Sequence, residues 1–270
     1  MGNYSKFKAI KVSVQDAVAT VTLNRPEALN AVDHVMHLEL EEMLALVAED
    51  QDINAVVLTG AGKAFSAGGD IKAMQARARD PEAQRDYINS FIMQGPRKLI
   101  RNFLEVPQPI IAAVNGHAIG LGATLALFSD MIIISEEARI GDPHVSVGIV
   151  AGDGGAVIWP LLTSLCKAKE LLLTGDLLTA SEACEIGLVN KVVPKDEVLS
   201  TAMALAQRLA SGPTLAIRWT KLALNKRLRE EVNLVLDASL ATEGLTFLSQ
   251  DHREAVDAFL EKRSAKFQGR

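Results

Sequence analysis

The chain reads Ala55-Val56-Val57-Leu58-Thr59 and then, a few residues on, Phe65-Ser66-Ala67-Gly68-Gly69-Asp70. The first run is apolar, rich in β-branched residues and short, so it reads as a buried strand. The second puts Ser, Ala and two Gly where that strand must leave the sheet. With so little side chain in the way, backbone N–H groups can approach a ligand oxygen closely. Asp70 then stands where a helix begins, the place of an N-cap. Strand, small-residue loop and capped helix together predict a backbone donor aimed at an oxygen.

The same logic recurs downstream. An apolar strand over residues 110–114 runs into Asn115-Gly116 and then Gly120-Leu121-Gly122, with a short apolar helix expected over 123–129. Leu121 would offer a free N–H at a helix N-terminus, where partial positive charge favours an oxyanion. Either loop alone reads equally as a tight turn. The pair can point two donors at one carbonyl oxygen, an oxyanion hole that contributes roughly 3–4 kcal/mol per donor.

Around these loops the pattern is α/β. Residues 9–14 and 18–23 alternate about Gln15-Asp16-Ala17 as a hairpin, and 33–50 carries a helical apolar period from a good cap. Helices are expected at 70–79 and at 81–104, the latter interrupted at Gly95-Pro96, and a further strand at 131–135. Strands alternating with helices imply a sheet with crossover connections. After Val193 only helices follow, at 196–210, 213–226, 231–248 and 251–262. A boundary is therefore expected near Pro194, between a core over 1–194 and a helical oligomerisation region over 195–270.

Composition excludes several classes. The 270 residues carry a net charge of -5 and are 49% hydrophobic, enough for a core without disulfides or metal. No basic block suggests nucleic acid or an anionic membrane as partner. Cys166 and Cys184 are isolated and lack metal-ligand spacing, as expected of reduced, buried thiols in a cytoplasmic protein. Met1-Gly2-Asn3-Tyr4-Ser5-Lys6 does not read as a secretory signal, and no run is long and apolar enough to span a bilayer.

Six segments carry a resemblance that spans most of the chain. They are Leu23-Asn24-Arg25-Pro26-Glu27-Ala28-Leu29-Asn30, Phe65 through Ile71, Ala113 through Gly120, Leu171-Leu172-Leu173-Thr174-Gly175, Gly187-Leu188-Val189 and Ala258 through Arg263. In order and spacing the chain resembles the crotonase superfamily, the enoyl-CoA hydratase/isomerase family. The resemblance implies a spiral of ββα units with a C-terminal helical trimerisation region. It also implies a homotrimer or hexamer, and an acyl-CoA thioester substrate that brings coenzyme A as part of itself, with no separate cofactor or metal. Carried over by position, the oxyanion donors are the N–H groups of Ala67 and Leu121. Ala28, Leu29, Gly68, Gly69, Asp70, Ile71, Gly120 and Thr124 fall along the substrate and its CoA moiety. Lys262 is either a CoA phosphate contact or a solvated lysine.

The chain departs from the hydratase pattern where chemistry is decided. Hydratases of this family resemble one another in two glutamates that share a water and exchange protons with substrate. Here those positions are Thr124 and His144, and Leu121 replaces a usual glycine, so a positive φ there would be costly. Asp153, in the turn Ala151-Gly152-Asp153-Gly154-Gly155, is the remaining carboxylate, with helix capping at 156–162 as its structural alternative. His144 is either its partner or a histidine hydrogen-bonded within its loop. His34 and His117 read as local structure or surface, and Asp142 as a turn residue before Pro143.

Three functions stay open at this point. The first is an enoyl-CoA hydratase or isomerase with proton transfer by Asp153 and His144. The second is a retro-Claisen hydrolase of β-diketones, because superfamily members of that kind look similar in combining a histidine, a Gly-Asp-Gly turn and a Trp-Pro like Trp159-Pro160. The third is a catalytically silent acyl-CoA-binding protein.

Overall fold

The computed structural model describes residues 4–270. Met1, Gly2 and Asn3, on which part of the N-terminal reading rests, lie outside them. Nine strands form two sheets. They are β1 (Ile10–Gln15), β2 (Val18–Leu23), β3 (Ala55–Gly60), β4 (Ile110–Val114), β5 (Ala118–Ile119), β6 (Met131–Ser135), β7 (Arg139–Gly141), β8 (Leu178–Thr179) and β9 (Lys191–Val193). The larger sheet has the order β1-β2-β3-β4-β6-β9. Only β1 and β2 run antiparallel, through a two-residue turn at Asp16 and Ala17, both with positive φ. The other joins are parallel, and β3 and β4 are buried at every residue, as strands covered on both faces must be.

The second sheet is ragged, and it carries the loops of interest. It contains β5, β7 and β8. Single parallel bridges extend the same pattern, joining Val32 to Gly69 and Ser66 to Ala118. Each turn of the chain thus gives one long strand to the large sheet and one short extended stretch to the small one. This is the ββα spiral, and it stacks successive loops at one edge.

Twelve α-helices complete the fold. The first eight are α1 (His34–Glu49), α2 (Ile71–Ala78), α3 (Pro81–Tyr87), α4 (Gly95–Glu105), α5 (Leu121–Leu127), α6 (Gly155–Leu162), α7 (Leu165–Thr174) and α8 (Ala180–Glu185). The last four are α9 (Val198–Ala210), α10 (Thr214–Glu231), α11 (Asp237–Phe247) and α12 (Gln250–Glu261). Asp33 caps α1 through Met36 N–H, and Asp70 caps α2 through the N–H groups of Lys72 and Ala73. The expected break in the long helix at Gly95-Pro96 is instead the start of α4, after a π-helical turn over Ile88–Ile92. Proline, lacking an N–H, is at home in a first turn.

The division expected near Pro194 does not coincide with a change in packing. The buried face of α9, with Val198, Ala202, Ala206 and Ala210, packs on Val57, Ile111 and Ile133 of the large sheet. That helix therefore seals the core. Lys221 on α10 reaches into the core as well, donating to Gln108 O at 2.8 Å and pairing with Asp130 at 2.7 Å.

Candidate active site

The loop after β3 is held rigidly before it presents anything. Asn30 is fully buried and donates to Ala61 O and Ala64 O at 2.9 and 2.8 Å. Ser66 Oγ donates to Asn30 O at 2.8 Å, and Gly68 N–H donates to Ser66 Oγ at 3.2 Å. Ala67 N–H donates to Leu29 O at 3.0 Å. The donor expected at Ala67 is thus engaged within the protein, which corrects that expectation. Two residues on, Gly69 lines the cavity, and its N–H has no acceptor among the described residues.

Leu121 lines the same cavity. It is the first residue of α5, two residues earlier than the pattern suggested, so its N–H has no intrahelical acceptor. The strained backbone falls on Gly120 (φ 53°, ψ −124°), and Leu121 keeps a negative φ. The anticipated cost of leucine at this place therefore does not arise. The two loops interlock: a Cβ on Gly68 would stand 2.6 Å from Ile119 O.

Behind Leu121 lies a buried ionisable cluster. A Cβ on Gly120 would meet His144 Cε1 at 3.5 Å, so the imidazole lies directly behind the second donor loop. His144 sits in a 3-10 turn, His144–Val147, with its Nδ1 on Asp142 Oδ1 and its Nε2 at 3.4 Å from Asp153 Oδ2. Thr124 Oγ1 donates to Asp153 Oδ1 at 3.4 Å. Asp153 does not cap α6; the N-cap is Gly154, which makes no side-chain capping bond. Asp142, expected as a turn residue, is 1% exposed and anchors the imidazole. Burial alone would lower the His144 pKa, but the charges of Asp142 and Asp153 outweigh it and hold the pKa well above the ordinary 6.5.

A further member was not anticipated from sequence. Glu243 on α11 is 3% exposed and lines the same cavity, and its Oε2 has no hydrogen-bond partner. It lies tightly over the turn at Gly152, where a Cβ would come within 2.6 Å of Oε2. Burial, reinforced by the nearby charge of Asp153 and opposed by His144, holds its pKa well above the ordinary 4.5. The sequence signal of Glu243 is a carboxylate on an apolar helix face, with Leu240, Gly244 and Phe247.

The cavity encloses about 630 Å³, its open mouth included. Its lining includes Val32, Asp33, Gly69 and Asp70 together with the aromatic side chains Tyr87, Phe91 and Phe247. Burial pushes the Tyr87 hydroxyl up to about 12. Ala28 ends the 3-10 turn Pro26–Ala28 beside the first loop, Leu29, 48% exposed, caps it in left-handed backbone, and Ile71 opens α2. Lys262 ends α12 in left-handed backbone at the surface and does not line the cavity. His117 accepts from Arg139 N–H at 3.0 Å, a local role, and His34 lies at the cavity rim against Phe91. Ligand atoms of Asp142, His144 and Asp153 lie within 4.8 Å of one another, close enough to hold a metal ion. Both ring nitrogens already face carboxylates, so the cluster is satisfied as an ion-paired triad.

A strand–loop–helix donor facing a second such loop, in this spiral, is matched by known proteins. The family model described as enoyl-CoA hydratase/isomerase matches residues 13–270. The chain belongs to the enoyl-CoA hydratase/isomerase family. It is 35% identical over 262 residues to the crotonyl-CoA hydratase of Syntrophomonas wolfei, covering 97% of this chain and 98% of that protein. It is 36% identical to the 1,2-epoxyphenylacetyl-CoA isomerase of Escherichia coli, covering 95% and 97%. A crystal structure of a family member from Mycobacterium paratuberculosis superposes with a TM-score of 0.86 at 38% identity, covering 93% of this chain and 99% of that one. Among the described residues no helix is long and apolar enough to cross a membrane.

Proposed function

We propose that this chain is an acyl-CoA enzyme that hydrates 2-enoyl thioesters, with double-bond isomerisation open to the same site. The thioester carbonyl accepts hydrogen bonds from the N–H groups of Gly69 and Leu121, which stabilise the enolate-like transition state. Asp153, held between Thr124 and His144, takes a proton from the water that adds at C3. Glu243, whose pKa burial holds up, gives its proton to C2. The two carboxyls trade the proton back through cavity water. The observation that carries this reading is the buried Glu243, its Oε2 without a hydrogen-bond partner, lining one cavity with Asp153, Gly69 and Leu121. Two carboxyl groups in opposite protonation states are what addition of water across a double bond requires. Asp153 can also remove a C2 proton from a 3-enoyl thioester and return it at C4, which moves the double bond.

The family and the names of its relatives support a CoA thioester as substrate, with CoA entering as part of it and no further cofactor in the scheme. The CoA moiety leaves by the Asp70 end, past Ala28, Leu29, Gly68 and Ile71. The exposed apolar side chains Leu215, Trp219, Leu224, Leu234, Leu245 and Phe259 on the C-terminal helices support a homotrimer or hexamer. Light scattering on the purified protein measures that state.

A substrate panel tests the reaction: crotonyl-CoA, 3-hexenoyl-CoA and a cyclic β-diketone, each with the wild type, Asp153→Asn and Glu243→Gln. Turnover of crotonyl-CoA that both substitutions suppress supports the reading. Cleavage of the diketone with both thioesters untouched overturns it for C–C hydrolysis. Acyl-CoA binding with no turnover of any substrate overturns it for a silent binding protein. Both His144 ring nitrogens face carboxylates, so neither is turned to a water in the cavity, and this favours thioester chemistry over diketone hydrolysis.

A further inference from the structure

Arg77, in the last turn of α2, is the one arginine or lysine among the described residues that lines the cavity. It has no ion-pair partner among the described residues, and Asp70 is the carboxylate whose charge reaches it from farther off. Its neighbours at this end of the fold are engaged: Arg79 pairs with Asp257 at 2.7 Å, and Arg253 donates to Ala78 O at 3.0 and 2.8 Å. Among the described residues no carboxylate lies within ion-pair distance of Arg77, and its Nε is buried without a hydrogen-bond acceptor. The guanidinium lies over the Tyr87 ring, 3.8 Å from its centroid. A stacked guanidinium keeps its N–H edge free and is fixed in orientation before a ligand arrives. Burying that charge without a partner is unfavourable, and burial does lower its pKa.

The placement of Arg77 indicates what the partner would be. Asp70, Ala73, Met74 and Arg77 share the cavity-facing side of α2, as positions spaced by three and four residues do. Seven residues separate Asp70 from Arg77, roughly 10 Å along the axis at 1.5 Å per residue. An acyl chain whose thioester sits at Gly69 would run past Ala73 and Met74, both apolar, and end at Arg77. Tyr87, beneath the guanidinium, lines the same cavity as Glu243 and Asp153, so Arg77 opens onto the space that holds them. A planar, pre-oriented guanidinium there matches a carboxylate, which it can hold through two parallel hydrogen bonds.

We infer that the preferred substrate is a 2-enoyl thioester whose far end carries a carboxylate, and that Arg77 selects it. This rests on the cavity being the acyl-CoA site proposed above. The test compares trans-2-hexenedioyl-CoA with trans-2-hexenoyl-CoA, which match in chain length and differ in the end group. The wild type is expected to favour the diacid by about tenfold or more in kcat/KM, the effect of one charge-assisted pair. Arg77→Met should collapse that ratio, mainly through KM of the diacid, and Arg77→Lys should restore part of it. Equal or reversed preference in the wild type overturns the inference, as does a preference that survives Arg77→Met. Binding of the saturated adipyl-CoA and hexanoyl-CoA, followed by calorimetry, needs no turnover. An Arg77-dependent preference there, with no turnover of either enoyl thioester, sustains the inference while sinking the proposed reaction. No binding of either overturns both.

Discussion

Replacing Asp153 by asparagine changes the site by one proton acceptor and almost no volume. The side chain is 6% exposed and lies between Thr124 Oγ1 and His144 Nε2, both at 3.4 Å. An amide there can still accept from Thr124 but cannot take a proton from water. Loss of a positioned base lowers rate by about 10²–10⁴-fold, and at about 1.4 kcal/mol per tenfold that is roughly 3–5 kcal/mol of transition-state stabilisation. The effect should fall on kcat, with KM for crotonyl-CoA changed by no more than about threefold, because the donors at Gly69 and Leu121 are untouched. His144 gives an independent readout. It loses one of the two carboxylates that hold its pKa up, so its imidazole titration, followed by proton NMR, should move down. A variant within about threefold of wild-type kcat would refute the reasoning, as would a full loss with an unmoved histidine titration.

Other consequences can be measured directly. Because the folded-state pKa of Glu243 lies above its ordinary 4.5, the unfolded chain releases that proton first. Glutamate here therefore costs stability increasingly as pH rises from about 4.5 toward the folded value. Glu243→Gln should become more stable relative to wild type as pH rises above about 4.5, by urea denaturation, while hydration falls; a constant difference contradicts the assignment. His144 has a raised folded pKa, so its ion pairs stabilise fully below about pH 6.5 and are lost as pH rises through the folded value. In His144→Gln the alkaline part of the stability profile should flatten. Gly120→Ala forces a side chain into φ 53°, ψ −124°, a strain of about 1–3 kcal/mol that moves the Leu121 donor. Activity should drop by about ten- to a hundredfold while acyl-CoA binding changes little, and wild-type turnover would sink this. Lys221→Met leaves Asp130 without its partner at 2.7 Å. A loss of about 3 kcal/mol is expected in chemical denaturation, at the low end for a buried pair because the Asp130 side chain is 21% exposed.

The fold was legible wherever local signals and global packing agree. The apolar run before Phe65 became β3, and Asp33 and Asp70 became caps, because each depends on neighbours in sequence. Features set by distant contacts were less accessible. Which N–H of the first loop stays free depends on Leu29 O taking the one at Ala67. Asp142 looked like a turn residue because Asp-Pro is common in turns, yet its carboxylate holds His144. Glu243 lies ninety residues beyond Asp153, and only the docking of α11 joins them. Its mark in the sequence, an acidic residue on the apolar stripe of Leu240, Gly244 and Phe247, is faint but readable. The pattern after Val193 separated the last helices from the core, because periodicity reports a helix's apolar face but not which surface that face covers.

The position of Glu243 near the end of the chain also sets an order of events. The ribosome delivers β3, the two donor loops, His144 and Asp153 well before α11. A nascent or C-terminally clipped chain would hold the parts that grip a thioester and lack the acid that completes the reaction. Turnover would then report that the last helices have closed over the site, whereas ligand binding would report only that the spiral has formed. Assayed side by side on a truncation series, the two signals would serve as separate clocks for the assembly of one molecule.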